Sequence, residues 1–376
     1  MKTKKIVFLT GTRADFGKLK ALINKVEKSN LFDCYIFVTG MHTLSKYGST
    51  FHEVQKNNYR NIFVFMNQTN TTDLDIILSN TIIGFSNFIK DLEPDMVIIH
   101  GDRVEALAGA IVGSLNNIRV AHVEGGELSG NIDESIRHSI TKLVHIHFVA
   151  NDEAKKRLLQ MGEVESSIFV IGSPDIDVML SKLPSIKEAK SYYNIRFPKY
   201  SIVIYHPETF KRVIIEKHVR TFVSALKKSN RNYVFIYPNN DSGSDIIISQ
   251  YQKLKNYKRF AIFPSIRFEY FLSILKSADF IIGNSSSGVR EAEIYGIPTI
   301  NIGSRQNKRT KNQEIIHVPT TEHSILKAIK QVKNKKIKKK YSFGDGKSSE
   351  KFYKLLRTEI TWKIPLQKKF MGIHNI

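Results

Sequence analysis

Short, continuously apolar runs alternate with helical patterns from one end of the chain to the other, which restricts the fold more than any other feature. Candidate strands are Ile6–Thr10, Cys34–Thr39, Ile62–Phe65, Met96–Ile99, Arg119–Val123, His147–Ala150 and Ile168–Ile171. Helix-like segments lie between them at Lys18–Ser29, Leu74–Leu92, Val104–Asn116, Glu134–Val144 and Asp152–Met161. Uninterrupted apolar strands separated by helices imply a parallel sheet covered on both faces. The pattern breaks at Gly172-Ser-Pro-Asp175 and stays irregular through Leu183-Pro184 and Phe197-Pro198. It restarts with strands at Ser201–Tyr205, Tyr233–Tyr237, Phe260–Phe263, Phe280–Ile282 and Thr299–Ile302. The expectation is an α/β protein of two doubly wound, Rossmann-like domains facing a cleft and joined near residues 172–198. A length of 376 residues suits two cores better than one.

Composition excludes several classes. With 41% hydrophobic and 24% charged residues the chain reads as an ordinary globular protein. No apolar run approaches the roughly 18 residues that a membrane span needs. Lys2, Lys4 and Lys5 ahead of Ile6–Thr10 imitate a signal peptide, but the apolar stretch is short and Arg13 and Asp15 follow at once, so it reads as the first strand. The single cysteine, Cys34, excludes an internal disulfide and fits a reducing, cytoplasmic setting; it lies in an apolar run, as a core residue would. The net charge is +22, and the tail from Gln331 to Ile376 holds 13 Lys and Arg against 3 Asp and Glu. Lys333–Lys340 has no interleaved aromatics and no nucleic-acid motif, so the excess reads as solvated surface, with neither nucleic acid nor membrane as partner.

The polar residues with chemistry sit repeatedly at the carboxyl ends of strands, where open α/β sheets bind ligands: Arg13, Asp102, Glu124, His206, Asn239 and Ser285. Thr10-Gly-Thr-Arg-Ala-Asp-Phe-Gly-Lys18 runs from a strand into a helix, and helix N-termini and guanidinium groups both suit a phosphate. Gly283-Asn-Ser-Ser-Ser-Gly-Val-Arg-Glu291 can cradle a diphosphate on free amides and hydroxyls, with Glu291 one helical turn on; the alternative is a polar loop capped by serine. His206-Pro-Glu208 offers a histidine that donates to a phosphate or moves a proton, or simply a loop histidine bonded to backbone.

Between His100 and His138 lie Asp102, Glu124 and Asp133 beside Arg103 and Arg137. Three acids near two arginines can divide acid and base roles. Asp102 and Asp133 each stand where a helix begins, so capping is a competing explanation, whereas Glu124 before Gly125-Gly126 has less structural excuse. His122 and His138 are local hydrogen-bond partners or hosts for substrate hydroxyls. His145-Ile-His147 lacks further ligands at metal spacing, so no metal is expected. Absence of a Ser/His/Asp order and of a G-x-x-x-x-G-K-[ST] loop argues against an acyl hydrolase or an NTP-driven motor.

Together Gly11-Thr-Arg-Ala-Asp15, Val38-Thr-Gly-Met-His42, His100-Gly-Asp-Arg103, His122–Gly130, Asp133-Glu-Ser-Ile-Arg-His138, Tyr237-Pro-Asn-Asn-Asp241, Gly283–Glu291 and Gly303-Ser-Arg-Gln306 resemble the hydrolysing UDP-N-acetylglucosamine 2-epimerases of sialic-acid pathways, over nearly the whole chain. Non-hydrolysing relatives typically carry Pro-Glu in place of Ala14-Asp15 and Thr in place of Arg103. The resemblance implies a glycosyltransferase-B-like architecture: 1–175 with the catalytic carboxylates, 176–357 binding UDP, and 358–376 returning to the first domain, with Ser348–Leu356 and Trp362 suited to that return. It places Arg13, Arg103, His206, Ser285, Ser286 and Arg305 on the diphosphate, Glu291 on the ribose, and the Asn239 and Ile266 regions on the uracil. Asp102, Glu124 and Asp133 match the family's essential acids, with His206 counted among the catalytic groups and Lys18, Glu134 and His138 among the substrate contacts. Gly17 departs from members that place Ser there against the phosphate.

The implied reaction lets UDP leave as a carboxylate takes the C2 proton, then adds water across the resulting glucal; no metal or nicotinamide is required. The expected partners are a UDP-sugar and further copies of the chain in a dimer or tetramer. The same residues fit the sister reaction on a UDP-2,4-diacetamido-2,4,6-trideoxyglucose of the legionaminic acid pathway. A UDP-sugar glycosyltransferase shares the fold but needs an acceptor, and a non-enzymatic basic binding protein would show salt-dependent nucleic-acid binding without UDP release.

Overall fold

The computed structural model describes residues 3–70, 72–129, 132–208, 211–306, 313–332, 335, 337–369 and 371. Gly130 of the glycine-rich motif and Lys333 and Lys336 of the lysine run lie outside the described residues, as do Met1 and Lys2. The chain opens with β1 (Lys4–Thr10), α1 (Arg13–Glu27), β2 (Phe32–Val38), α2 (Phe51–Gln55), β3 (Asn61–Val64) and α3 (Leu74–Leu92). It continues through β4 (Met96–His100), α4 (Val104–Leu115), β5 (Arg119–Val123), α5 (Ile132–Leu143), β6 (Ile146–Val149), α6 (Asp152–Gln160), β7 (Ile168–Val170) and α7 (Pro174–Leu180). A second series follows: α8 (Ile186–Tyr192), β8 (Ser201–Ile204), α9 (Arg212–Lys228), β9 (Tyr233–Ile236), α10 (Ser244–Gln252), β10 (Phe260–Phe263) and α11 (Phe268–Lys276). It ends with β11 (Ile281–Gly283), α12 (Glu291–Tyr295), β12 (Thr299–Ile302), β13 (Ile316–Val318), α13 (Glu322–Gln331), and then α14 (Ser348–Leu356) and α15 (Glu359–Lys363).

Two compact units result, and both are doubly wound as the apolar pattern predicts. The first comprises Met1–Leu128, Ile132–Ser181 and Ser342–Ile376; the second comprises Ser129–Asn131 and Lys182–Tyr341. The first sheet runs β3-β2-β1-β4-β5-β6-β7 and the second β10-β9-β8-β11-β12-β13, with every pairing parallel. The strand order reverses at β1/β4 and at β8/β11, the places where such sheets open a crevice for ligands.

In the first unit the two faces of the sheet build separate cores. Ile6, Phe8, Cys34, Ile36 and Ile98 pack on one side with α1, and Val7, Leu9, Phe37, Val97 and Ile99 on the other with α3, α4 and α5. Successive side chains of a strand point to opposite faces, so a strand buried on both faces is apolar almost throughout. The chain re-enters this unit at Ser342, so that α14 contributes Phe352 and Leu356 to the first core. Phe352 sits edge-on to Phe148 and within ring contact of Phe8. Trp362 stacks on Phe32 under the Lys4 ammonium, and its indole N–H donates to Leu356 O at 2.7 Å.

Three sequence expectations need correction. The stretch 172–198 is not irregular: α7 and α8 occupy it, started by Pro174 at a first helical position and by Ser185, whose hydroxyl accepts from Glu188 N at 3.1 Å. Helix α1 starts at Arg13, five residues earlier than its apolar spacing suggests, because Thr12 and Asp15 form a capping box. The basic tail is not wholly solvated: the half-buried Lys368 donates to Thr141 O and Val144 O at the end of α5, each at 2.8 Å, and pairs with Glu163 at 2.5 Å. Among the described residues, no helix is long and apolar enough to cross a membrane.

His145 and His147 are held by partners within the first unit. His145 accepts from Val120 N through Nδ1 and meets Leu366 O through Nε2, while His147 meets Glu163. His42 and His122 are also fully enclosed, and burial lowers them to about 4 and about 3 respectively. An unfolded histidine titrates near pH ~6.5. Between that pH and the folded values the unfolded chain binds more protons, so stability falls as pH falls, by about 1.4 kcal/mol per pH unit for each histidine. Thermal melts from pH 7.5 to 5 are therefore expected to show a declining Tm before the carboxylates titrate, and a flat Tm would contradict neutral burial. Phe352→Ala is expected to cost about 3–5 kcal/mol in urea unfolding of the first unit; a loss below ~1 kcal/mol would mean that α14 is not part of its core.

Candidate functional site

The loop after β1 is held by one carboxylate. Asp15 accepts from Gly11 N, Thr12 N and the hydroxyls of Thr10 and Thr12, all between 2.9 and 3.0 Å. Those two amides are therefore engaged by the chain itself, which alters the expectation that this turn offers its amides to a phosphate. Arg13, the first residue of α1, pairs with Glu53. Lys18, one turn further on, is buried.

Glu124 directly follows β5, its backbone in the left-handed region at φ 66°. A non-glycine residue in that conformation is strained by about 1 kcal/mol or more, and here Glu124 N is fixed by Phe148 O at 2.9 Å. The turn carries its side chain into the protein, where it is 4% exposed and surrounded by donors. His100 Nε2 lies 3.1 Å from Oε2, Lys18 Nζ lies 3.9 Å from the same oxygen, and Ser173 donates to Oε1. Lys18 also stands 3.3 Å from Asp175, a carboxylate with no exposure at all.

Asp102 follows β4 and receives the buried Arg137 guanidinium, which also donates to Glu127 O at 3.0 Å. The capping explanation fails for Asp102, since the residue flanking α4 is Arg103, whose Nε lies 3.8 Å from the buried Glu105. Asp133 and Glu134 occupy the first turn of α5, a favourable place for negative charge. Arg137 lies one turn beyond and so ties this helix to Asp102. His138 stands 3.7 Å from Glu134, and both are about one-third exposed. His122 is withdrawn: it has no exposure, and its Nε2 meets Gly101 O at 2.7 Å. Of its two expected roles only the local partner survives.

In the second unit Asn284 organises the switch point. Its amide oxygen accepts from His206 N at 2.6 Å, and its amide nitrogen donates to His206 O at 2.9 Å. Asn239 N donates to His206 Nδ1 at 3.3 Å, so the neutral ring carries its proton on Nε2. His206 is thereby set as a donor through Nε2. Arg305 and Gln306 reach Asn284 O at 3.4 and 2.8 Å, and Glu208 accepts from Ser304 N and Arg305 N at 2.9 and 3.0 Å. Arg305 also lies 4.0 Å from Asp241.

Gly283 takes φ 141°, and a Cβ there would fall 1.9 Å from Ile204 O, so only glycine lets β11 pass β8 so closely. Ser285 then flanks a single 3-10 turn, Ser286–Gly288, its hydroxyl accepting from Ser287 N at 3.3 Å. The expected strand-to-helix step is thus interrupted, and Glu291 is the buried first residue of α12, not a residue one turn inside it. Ile266 is buried and Asn239 half-buried.

The structure gathers Lys18 with Glu124, and Asp102 with the helix that carries Asp133, Glu134 and His138, in the first unit. It gathers His206 with Asn239 and Arg305, next to Ser285, in the second. Sequence reasoning assigned no role to His100, Ser173, Asp175, Glu208, Asn284 or Gln306. His100, Glu208, Asn284 and Gln306 lie within motifs already singled out, whereas Ser173 and Asp175 fall where the strand pattern breaks.

A family model described as UDP-N-acetylglucosamine 2-epimerase matches residues 24–357. A UDP-N-acetylglucosamine 2-epimerase of Neisseria meningitidis serogroup B is 45% identical, covering 99% of this chain and all of the relative. A hydrolysing UDP-N,N'-diacetylbacillosamine 2-epimerase of Legionella pneumophila is 34% identical, covering 99% of each. The crystal structure of Methanocaldococcus jannaschii UDP-GlcNAc 2-epimerase, solved with UDP-GlcNAc and UDP, superposes with a TM-score of 0.79 at 25% identity, covering 94% of this chain and 99% of that one. The likeness accords with the glycosyltransferase-B-like fold expected from the motifs. With a family model spanning most of the chain and a relative 45% identical along its whole length, the chain belongs to the UDP-N-acetylglucosamine 2-epimerase family.

Proposed function

We propose that this chain hydrolyses UDP-N-acetylglucosamine with inversion at C2, releasing UDP and N-acetylmannosamine for sialic acid biosynthesis. The observation that carries the reading is Glu124, a buried carboxylate strained into place at a strand end with Lys18, His100 and Ser173 around it. The full-length likeness to a relative named as hydrolysing supports the hydrolytic branch, as does Arg103 where non-hydrolysing members carry Thr.

The C2 hydrogen of an N-acetylhexosamine is barely acidic, and a carboxylate cannot remove it unaided. Loosening of the bond from C1 to the diphosphate gives C1 oxocarbenium character and makes that proton removable. In this reading Arg13, Arg103, His206, Ser285, Ser286 and Arg305 stabilise the departing diphosphate. The Nε2 proton of His206 is the one such donor whose direction the ring's own hydrogen bond sets. Glu291 holds the ribose, and Asn239 and Ile266 the uracil. Asp102 and Glu124 move the protons, and Asp133 orients sugar or water, with Glu134 and His138 beside it. A 2-acetamidoglucal forms when the C2 proton and UDP leave. Water then adds at C1 while a proton returns to C2 from the opposite face, which inverts that carbon.

The Legionella relative favours a second substrate in the same chemistry, UDP-N,N'-diacetylbacillosamine, the 2,4-diacetamido-2,4,6-trideoxy sugar nucleotide. Turnover of the two nucleotide sugars side by side decides between them.

Proton NMR of the protein with UDP-N-acetylglucosamine in deuterated water, without an acceptor, is expected to show free UDP and N-acetylmannosamine deuterated at C2. Untouched substrate with folded protein would move the assignment to the diacetamido sugar, and inactivity on both would favour a transferase. Asp102→Asn and Glu124→Gln are each expected to lower kcat by about 10²–10⁴-fold. Full turnover by either variant would remove that residue from proton transfer.

A further inference from the structure

Helix α7 stands at a junction in the first unit that the reaction as described does not use. At its start Ser173 donates to Glu124, and Asp175 takes the Lys18 ammonium at 3.3 Å. Two residues on, Asp177 accepts from Ser348 N at 2.8 Å and from Ser349 N at 2.7 Å, which are the first amides of α14. Ser173 N donates in turn to Phe343 O at 2.7 Å, and Ser348 Oγ donates to Ser173 O at 3.0 Å. One short helix is thereby anchored by the returning chain on one side and directs two side chains at the Glu124 environment on the other.

Lysine carries a point charge on a flexible stem and takes its position from whatever anion lies nearest. Of its two carboxylate neighbours here Asp175 is the nearer, at 3.3 Å against 3.9 Å for Glu124. A fully buried carboxylate is costly unless matched by charge, and Lys18 provides the match. If Asp175 were neutral, the ammonium would turn toward Glu124 and draw it into a full ion pair. A base locked in such a pair is a poorer acceptor for a carbon-bound proton.

We propose that Asp175 is a positioning residue: it holds Lys18 at a set distance from Glu124, leaving Glu124 a carboxylate of fixed orientation for proton transfer at C2. The assignment to proton transfer rests on the 2-epimerase reading above; the pairing of Asp175 with Lys18 does not.

The test is a double-mutant cycle in the full-length protein, read by UDP release and by ¹⁵N NMR of the lysine ammonium groups. Asp175→Asn is expected to lower kcat on the order of 10²-fold, with KM within about twofold. Adding it to Lys18→Met is expected to change the kcat of Lys18→Met by less than about threefold, because Asp175 acts through Lys18. Fully additive losses, or a raised KM at unchanged kcat, overturn the proposal.

Circular dichroism is recorded for each variant. Should Asp175→Asn alone fail to fold, the double variant decides: folding like Lys18→Met supports the pairing, and unfolding assigns Asp175 to the fold alone and overturns it. Should the wild type leave both UDP-sugars untouched, the functional reading fails and the NMR arm stands by itself. The slowly exchanging Lys18 ammonium signal, assigned through Lys18→Met, must then shift in Asp175→Asn as the ammonium turns to Glu124, and an unchanged signal overturns the pairing.

Discussion

A carboxylate removed from water has to be met by donors and charge, and much of the first unit is arranged to meet Glu124. Its neighbours come from distant parts of the chain: Lys18 from α1, His100 from the end of β4, and the hydroxyl donor Ser173 from the start of α7. Lys18 and His100 are available because the parallel sheet brings the carboxyl ends of β1, β4 and β5 side by side, and Ser173 comes from beyond β7 at the edge of the same sheet. The left-handed backbone at Glu124 completes the arrangement, since an extended residue there would carry its side chain elsewhere. The tail is drawn in by the same logic. Asp177 on α7 caps α14, and α14 delivers Phe352 to the core beneath the sheet.

The strands were legible because burial on both faces leaves a parallel strand few polar positions, and Arg119–Val123, Phe260–Phe263 and Thr299–Ile302 coincide with their expected limits. Leu74–Leu92 was equally plain, an amphipathic helix of five turns. Elements of one or two turns were not, since periodicity needs length to show. Helix α7 has seven residues and takes its start from Ser173 and Pro174, which read as a break when judged by hydrophobicity alone. Strand β13 has three residues, two of them half-buried and the middle one exposed, so its apolar signal is weak. The 3-10 turn at Ser286–Gly288 has no hydrophobic signature at all; Thr299 Oγ1 closes on Gly288 O at 2.6 Å from another strand.

The candidate site was readable to the extent that its residues lie next to strands. Asp102, Glu124, His206 and Arg305 all follow a strand within three residues, and a doubly wound sheet puts such residues at one edge whatever their neighbours are. Their partners were not readable, because a partner is a fact of tertiary structure. Nothing local to Asp175 announces Lys18, more than 150 residues earlier in the chain. Nothing local to His206 announces that Asn239 N will occupy its Nδ1 and so settle which nitrogen carries the proton. Asp15 shows the converse: its motif was conspicuous, but its carboxylate is spent on the turn's own amides and hydroxyls.

The net charge of +22 would suggest a protein built to attract anions broadly, yet cations near the proposed chemistry have carboxylates close at hand. Arg13 has Glu53, Lys18 has Asp175 and Glu124, Arg137 has Asp102, and Arg305 has Asp241 at 4.0 Å. Matched charges of this kind hold geometry without raising the field of the whole molecule. The basic excess lies mainly elsewhere, on exposed lysines of the tail and of outer helices, where salt screens it within about 8 Å at physiological ionic strength. Overall charge and site charge are therefore separate properties of this chain. Preorganised pairs around the strand-end residues, rather than a positive surface, are what the proposed reaction needs if it is to stabilise a departing diphosphate and still keep a carboxylate ready to take a proton from carbon.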